Sequence, residues 1–137
     1  MSEATLLAEI QTVLETSTRF KRVVLNDHSW LDVSMDRFAV VDTSDILEIL
    51  FRVGGTDVDY QIYITVYEPF TDWQTSYNDF MTTRQAVIDA LRGYDADTGV
   101  IQDVRTDAPI RYVSYDDDQA LPVFIVQRFV VTVRDEA

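Results

Sequence analysis

Residues 60–73, YQIYITVYEPFTDW, decide the fold, because they contain one strand and the turn that ends it. Bulky apolar and polar side chains alternate from Tyr60 to Tyr67, and this spacing of two predicts a β-strand. One face carries Tyr60, Ile62, Ile64 and Val66, and the other carries Gln61, Tyr63, Thr65 and Tyr67. Pro69 ends the strand, since proline has no N–H for the next ladder hydrogen bond.

The turn leads into the second of two predicted helices, which begins at Asp72 or Thr75 and ends at Arg92. Asp72 or Thr71 provides the N-cap, and Gly93 the C-terminal cap. A three- and four-residue spacing marks the stripe that we expect in the core: Trp73, Tyr77, Phe80, Met81, Val87, Ile88 and Leu91. The same spacing predicts an N-terminal helix with an apolar face of Leu6, Leu7, Ile10, Val13 and Leu14.

The remaining predicted elements are strands. They span residues 38–41, 46–53, 100–104, 110–115 and 121–134, and a hairpin turn at Gly54–Asp57 precedes the Tyr60 strand. The predicted order is one helix, three strands, a second helix and three more strands, which is typical of an α+β domain. We therefore predict a mostly antiparallel sheet with both helices, N-terminal and central, on one face. The 137 residues fit a single domain, 1–137.

Apolar side chains also occupy the second face of two strands. Tyr63, Tyr67 and Phe124 lie opposite the alternate residues assigned to the core. Two helices cover only one face of a sheet, so we expect this second face to be buried against another subunit. The predicted interface residues, including the 26–37 loop and an acidic tip, are Trp30, Leu31, Met35, Tyr63, Tyr67, Asp116, Asp117, Asp118, Phe124 and Arg128.

The composition excludes several classes of protein. Acidic residues outnumber basic ones 24 to 11, for a net charge of −13, so non-specific binding to DNA is not expected. No apolar run is long enough to span a bilayer, and the N-terminus lacks the pattern of a signal peptide. There is no cysteine, which removes disulfides and thiolate chemistry.

No catalytic, cofactor-binding or metal-binding residue is predicted. The single histidine, His28, lies between Asp27 and Ser29, and consecutive residues do not form a triad. The glycines at 54 and 55 are followed by neither a helix nor the lysine of a phosphate-binding loop. The segment beginning at Asp95 departs from a calcium loop at its fifth, sixth and twelfth positions. The acidic tip is interpreted as a solvated hairpin end, with weak binding of a hard cation as the alternative. We therefore do not expect an enzyme.

The order of elements resembles that of tail terminator, or tail completion, proteins of long-tailed bacteriophages and phage-like particles. An N-terminal helix, ATLLAEIQTVLE, precedes a long loop, and the strand and turn YQIYITVYEPFTDW lead into the helix SYNDFMTTRQAVIDALRG. Short strands follow, and a long strand, PVFIVQRFVVTV, ends the pattern. The resemblance covers residues 3 to 134 and is one of pattern, without a catalytic motif.

This resemblance implies a structural virion protein that assembles in the host cytoplasm. Such proteins form a homo-oligomeric ring, usually of six subunits, that caps the tail tube and ends its polymerisation. The implied partners are the tail tube protein and the head-side stopper or connector protein. DNA passes through the lumen, and an acidic subunit would repel its phosphates. That hypothesis fails if Arg52, Arg105, Arg111, Arg128 and Arg134 crowd the bore with few acidic residues beside them.

Two alternatives stay open. One is another neck protein, a stopper or head-completion protein, distinguished by the neighbour that it touches. The other is a small ligand-binding or hydrolytic α+β domain. It predicts an enclosed cavity lined by Tyr63, Tyr67 or Trp73, together with a strongly perturbed carboxylate.

Overall fold

A computed structural model describes residues 3–16, 20–27, 36–42, 46–52, 55–92, 100–114 and 122–136. These ranges contain two helices and seven strands. In chain order the elements are α1 (Glu3–Thr16), β1 (Arg22–Leu25), β2 (Phe38–Asp42), β3 (Ile46–Arg52), β4 (Gly55–Pro69), α2 (Trp73–Arg92), β5 (Val100–Thr106), β6 (Arg111–Val113) and β7 (Phe124–Glu136).

The two longest strands, β4 and β7, form the centre of the sheet. They pair antiparallel at every position from Asp57, opposite Glu136, to Pro69, opposite Phe124. The outer edge of β4 is shared by β2 and β3, and the outer edge of β7 by β5 and β6. Among the described strands, only β1 is parallel to its neighbour, β2. The predicted α+β class, with a mostly antiparallel sheet, is confirmed.

Both helices pack on one face of the sheet, as predicted. The apolar face of α1 is buried in the same cluster as Ile62 and Ile64 of β4 and Phe129 and Val131 of β7. Helix α2 reaches this cluster through Phe80, Val87 and Leu91. The cluster joins both helices to both central strands, so it is the main core of the domain.

Several element boundaries differ from the predictions. Strand β1 is not among the predicted strands; its four residues form a strand by pairing with β2. Strand β4 begins at Gly55, because β3 and β4 pair up to Arg52 opposite Gly55. The hairpin is confirmed, but its turn is shorter than Gly54–Asp57. Residues 53 and 54 lie outside the described residues, as does the predicted cap Gly93.

Part of the second face of the sheet is also buried within the single chain. Phe38 stacks on Tyr67 with ring centroids 4.4 Å apart, and Phe124 meets both rings edge-on. Val40 and Val126 complete this second cluster. Because Tyr67 and Phe124 have partners within the chain, the prediction that they need a second subunit for burial is wrong.

A buried ion pair ties β4 to the residue that precedes β2. Glu68 is fully buried on the helix face, and Arg37 binds both its carboxylate oxygens, with Nη2 3.0 Å from Oε1. The Thr83 hydroxyl of α2 lies 3.3 Å from the same Oε1. Burying a carboxylate is costly unless it is paired and hydrogen-bonded, and Glu68 meets both conditions.

We expect Glu68→Ala to lower the free energy of unfolding by about 3 kcal/mol, because it leaves a half-buried guanidinium without its carboxylate. Asp103→Ala removes one partner of the exposed ion pair between Asp103 and Arg105 and serves as the control. The control should cost less than about 1 kcal/mol. Urea unfolding of the three proteins measures both values. Equal losses in the two variants would contradict a structural role for the Glu68 pair.

Candidate functional site

Among the described residues, the most exposed large apolar side chains lie on α2 and β6. Trp73 and Tyr77 of α2 are 55% and 42% exposed, and Tyr112 of β6 is 44% exposed. The prediction that Trp73 and Tyr77 belong to the core is therefore wrong. Exposed aromatic rings of this size are uncommon on a surface that only faces water, and they point to an interaction surface.

The first turn of α2 explains why these rings face outward. The small side chain of Ser76 occupies the position that meets the sheet, and its hydroxyl accepts hydrogen bonds from the backbone N–H groups of Thr71 and Asp72. The Asp72 carboxylate caps the helix by accepting from Thr75 N–H at 2.9 Å, which confirms one of the two predicted caps. Ser76, and not Trp73 or Tyr77, is therefore the buried residue at the start of α2.

Three aromatic residues form one surface at this junction, which we call the aromatic patch: Phe70, Trp73 and Tyr112. The Phe70 and Trp73 centroids are 4.8 Å apart, those of Trp73 and Tyr112 are 5.2 Å apart, and those of Phe70 and Tyr112 are 6.4 Å apart. Such edge-to-face and tilted contacts are favourable, so the rings restrain one another.

The backbone also holds the patch. Phe70 donates its N–H to the Val123 carbonyl at 2.8 Å, which fastens the turn to the start of β7. Tyr112 pairs with Ile125 across β6 and β7. The patch is therefore held in place by contacts within the chain. Aromatic side chains of this kind supply much of the binding energy at protein interfaces.

A second candidate site, the second-face cleft, lies on the face of the sheet opposite the helices. Its volume is about 450 Å³, and it is lined by Asp42, Thr65, Tyr67, Ala108, Arg111 and Arg128. Burial raises the pKa of the Tyr67 hydroxyl, the negative charge of Asp42 raises it further, and Arg111 opposes this shift. Tyr67 is therefore neutral near pH 7 and can donate a hydrogen bond.

Aspartates pair with most of the arginines on this face. Arg134 binds both oxygens of the buried Asp59, at 2.7 and 2.9 Å, and Arg105 pairs with Asp103 at the exposed edge. Arg128 pairs with Asp107 and lies 4.5 Å above the Tyr63 ring. Because these positive charges are balanced locally, the face is not a basic surface of the kind that grips nucleic acid.

The predicted interface residues have different outcomes. Trp30, Leu31, Met35 and Asp116–Asp118 lie outside the described residues, as does His28. Tyr63 is half-buried under Arg128, which remains about half exposed. Tyr67 and Phe124 are brought together, but in the interior.

Sequence reasoning did not find the aromatic patch as a surface. Phe70 was placed in the turn and Tyr112 in a short strand, and no local pattern joins residues so far apart in the chain. Glu68 was also missed, although a signal was available. Because alternate residues of a strand share a face, Glu68 lies on the same face as Ile62 and Ile64. An acidic residue on a core face requires a buried partner.

The described residues were also searched for metal-binding groups and membrane-spanning helices, and the chain was compared with known proteins. Within the described ranges, no group of three histidine, aspartate or glutamate side chains is arranged to hold a metal ion. No helix in the described part of the chain has the length and apolar character needed to cross a membrane. Neither a scan of protein-family models nor a search of curated proteins finds a match to the chain.

Arg134→Gln should show a pH-dependent loss of stability. The hydrogen bonds from Arg134 lower the pKa of Asp59 below its ordinary 3.8, against the opposing effect of burial. A lowered folded-state pKa gives stability that is complete above 3.8 and is lost as the pH falls through the folded-state value. At neutral pH we expect the variant to be less stable by about 2 kcal/mol.

Urea unfolding from neutral pH to about pH 3 measures this difference. The gap between wild type and Arg134→Gln should narrow in the acidic part of the range. Arg105→Gln is the matched control, because Arg105 lies on the same face but its pair with Asp103 is exposed. If the difference in unfolding free energy between wild type and Arg134→Gln stays constant with pH, Arg134 is not the cause of the lowered pKa of Asp59.

Proposed function

We propose that the chain is a structural subunit of the bacteriophage head–tail neck, a ring-forming tail terminator. In this role, a ring of copies caps the tail tube, ends its polymerisation and joins it to the head connector, with DNA passing through the lumen. The proposal rests on the resemblance of the helix, strand, turn and helix order to that family. The α+β fold is compatible with it.

The aromatic patch is the observation that carries the proposal. It lies at the strand-to-helix junction on which the resemblance depends, between β4, α2 and β6. Trp73 and Tyr112 are about half exposed although both rings are fixed by their neighbours. A rigid, exposed tryptophan and tyrosine suit a subunit interface, since these residues are enriched at the centres of protein interfaces.

Two further features support assembly. In the strand order, β1 and β5 are end strands, each with a single described neighbour, and ring closure is one way in which proteins pair or cover such edges. The net charge of −13 and the aspartate-paired arginines favour a lumen that repels DNA phosphates over one that binds them. Both features are equally compatible with a stopper or head-completion protein, the alternative within the neck.

Particles assembled without this protein provide the decisive observation. If the chain is a tail terminator, electron microscopy should show tails of excessive and variable length, because tube polymerisation has no stop. Normal-length tails that fail to join heads would contradict the terminator role and assign the chain to another neck position. Restoring the wild-type protein in trans should restore normal tails.

The aromatic patch is tested separately by the double variant Trp73→Ala with Tyr112→Ala. We expect it to fold and to lose assembly, with apparent affinity between subunits or for the tube lowered by at least about a hundredfold, since interface aromatics contribute two or more kcal/mol each. Native mass spectrometry and sedimentation with purified tube protein measure this loss. Gln74→Ala, an exposed polar position on the same helix turn, is the control. Assembly by the double variant at the wild-type level would refute the role of the patch.

A further inference from the structure

The second-face cleft brings together residues from four strands in two neighbouring rows. One row crosses the sheet from Val40 on β2 through Thr65 on β4 to Arg128 on β7. The adjacent row runs from Tyr67 through Val126 to Arg111 on β6. Arg111 and Arg128 are thus diagonal neighbours on one face, which places their Cα atoms about 7–8 Å apart. Their long side chains reach a common volume over the sheet.

The direction of the Arg128 side chain is fixed by two contacts. Its guanidinium pairs with the carboxylate of Asp107 and lies over the face of Tyr63. Stacking on a ring leaves the N–H groups at the edge of the guanidinium plane available, and Arg128 has five such donors. Because the side chain is about half exposed, part of this donor edge is available to a ligand.

Arg111 differs from the other arginines of this face. Its side chain is exposed, and among the described residues no hydrogen bond or ion pair satisfies its guanidinium. Its charge nevertheless acts within the cleft, because it opposes the rise in the pKa of Tyr67. An arginine that lines a cleft and has no carboxylate partner in the described part of the chain is suited to bind an anion from solution.

Two hydroxyl groups complete the lining. Thr65 is 5% exposed and Tyr67 is 6% exposed, so both lie at the floor of the cleft. The phenol of Tyr67 keeps its proton at neutral pH and adds no negative charge. The lining therefore offers two guanidinium groups and two hydroxyl groups, against the carboxylate of Asp42 in the lining and that of Asp107, which pairs with Arg128.

We propose that the second-face cleft binds a small oxyanion, a carboxylate or a phosphate, between the guanidinium groups of Arg111 and Arg128. The volume of about 450 Å³ falls within the usual range for small-molecule sites, so a ligand larger than the anion itself fits. Planar guanidinium groups form paired hydrogen bonds with carboxylate and phosphate oxygens, which explains the choice of ligand class. The site does not depend on the proposed role in the phage neck.

Asp42 limits the charge of the ligand. It faces the cleft from β2, on the side of Thr65 away from Arg111. Its carboxylate repels an anion that extends toward it, so a ligand with one oxyanion group is favoured over a polyanion. This arrangement gives the test a variant that strengthens binding, which a damaged fold cannot imitate.

The test titrates the full-length protein with inorganic phosphate and, separately, with acetate, using isothermal titration calorimetry at low salt. We expect Arg111→Gln to weaken binding by about tenfold, the loss of one charge-assisted contact, and Asp42→Asn to strengthen it by severalfold. Arg105→Gln is the matched control, because Arg105 lies on the same face but does not line the cleft. It should leave the affinity unchanged.

The outcomes separate the two ligand sources and decide the proposal. Tighter binding of phosphate identifies a phosphate site, and tighter binding of acetate identifies a carboxylate site. Absence of heat with both anions overturns the proposal, and so does equal weakening by Arg111→Gln and Arg105→Gln, which indicates only the general charge of the face. Failure here would leave the aromatic patch and the proposed neck function untouched, since neither uses this cleft.

Discussion

The antiparallel pairing of β4 with β7 is the constraint on which the rest of the structure depends. The two strands stay in register from Asp57 to Pro69, and every other strand attaches directly or through one neighbour to this pair. A shift of one residue would move every side chain of a strand to the opposite face. Both faces carry buried clusters, so such a shift would disrupt two cores at once. The register is therefore strongly specified by packing on both sides.

The same register places the buried charges. Glu68 falls on the helix face, where Arg37 and Thr83 satisfy its carboxylate, and Asp59 falls on the second face directly opposite Arg134. The two pairs occupy opposite ends of the long strands and opposite faces of the sheet. Each links segments that are distant in the chain, so each reports on correct assembly of the sheet. Neither is exposed enough to be treated as an ordinary surface ion pair.

The short strand β6 connects the two candidate surfaces. Alternate residues of a strand point to opposite faces, so Arg111 lines the second-face cleft while Tyr112 joins the aromatic patch on the helix side. The three residues of β6, paired with the start of β7, thus position a candidate anion-binding residue, Arg111, and a candidate interface residue, Tyr112.

The sequence by itself determined the fold class, both helices and the long strands, and it narrowed the N-cap of α2 to Asp72 or Thr71, because these follow from local spacing, proline and capping chemistry. It also placed Tyr63 and Tyr67 on the second face. Only the tertiary structure decided that Tyr67 is buried within the chain, since its stacking partner Phe38 lies on another strand. Only the tertiary structure showed that Trp73 faces outward, because helical spacing does not reveal that Ser76 is buried there and binds the backbone of the turn. Contacts between residues distant in the chain depend on register and packing, which periodicity alone does not encode.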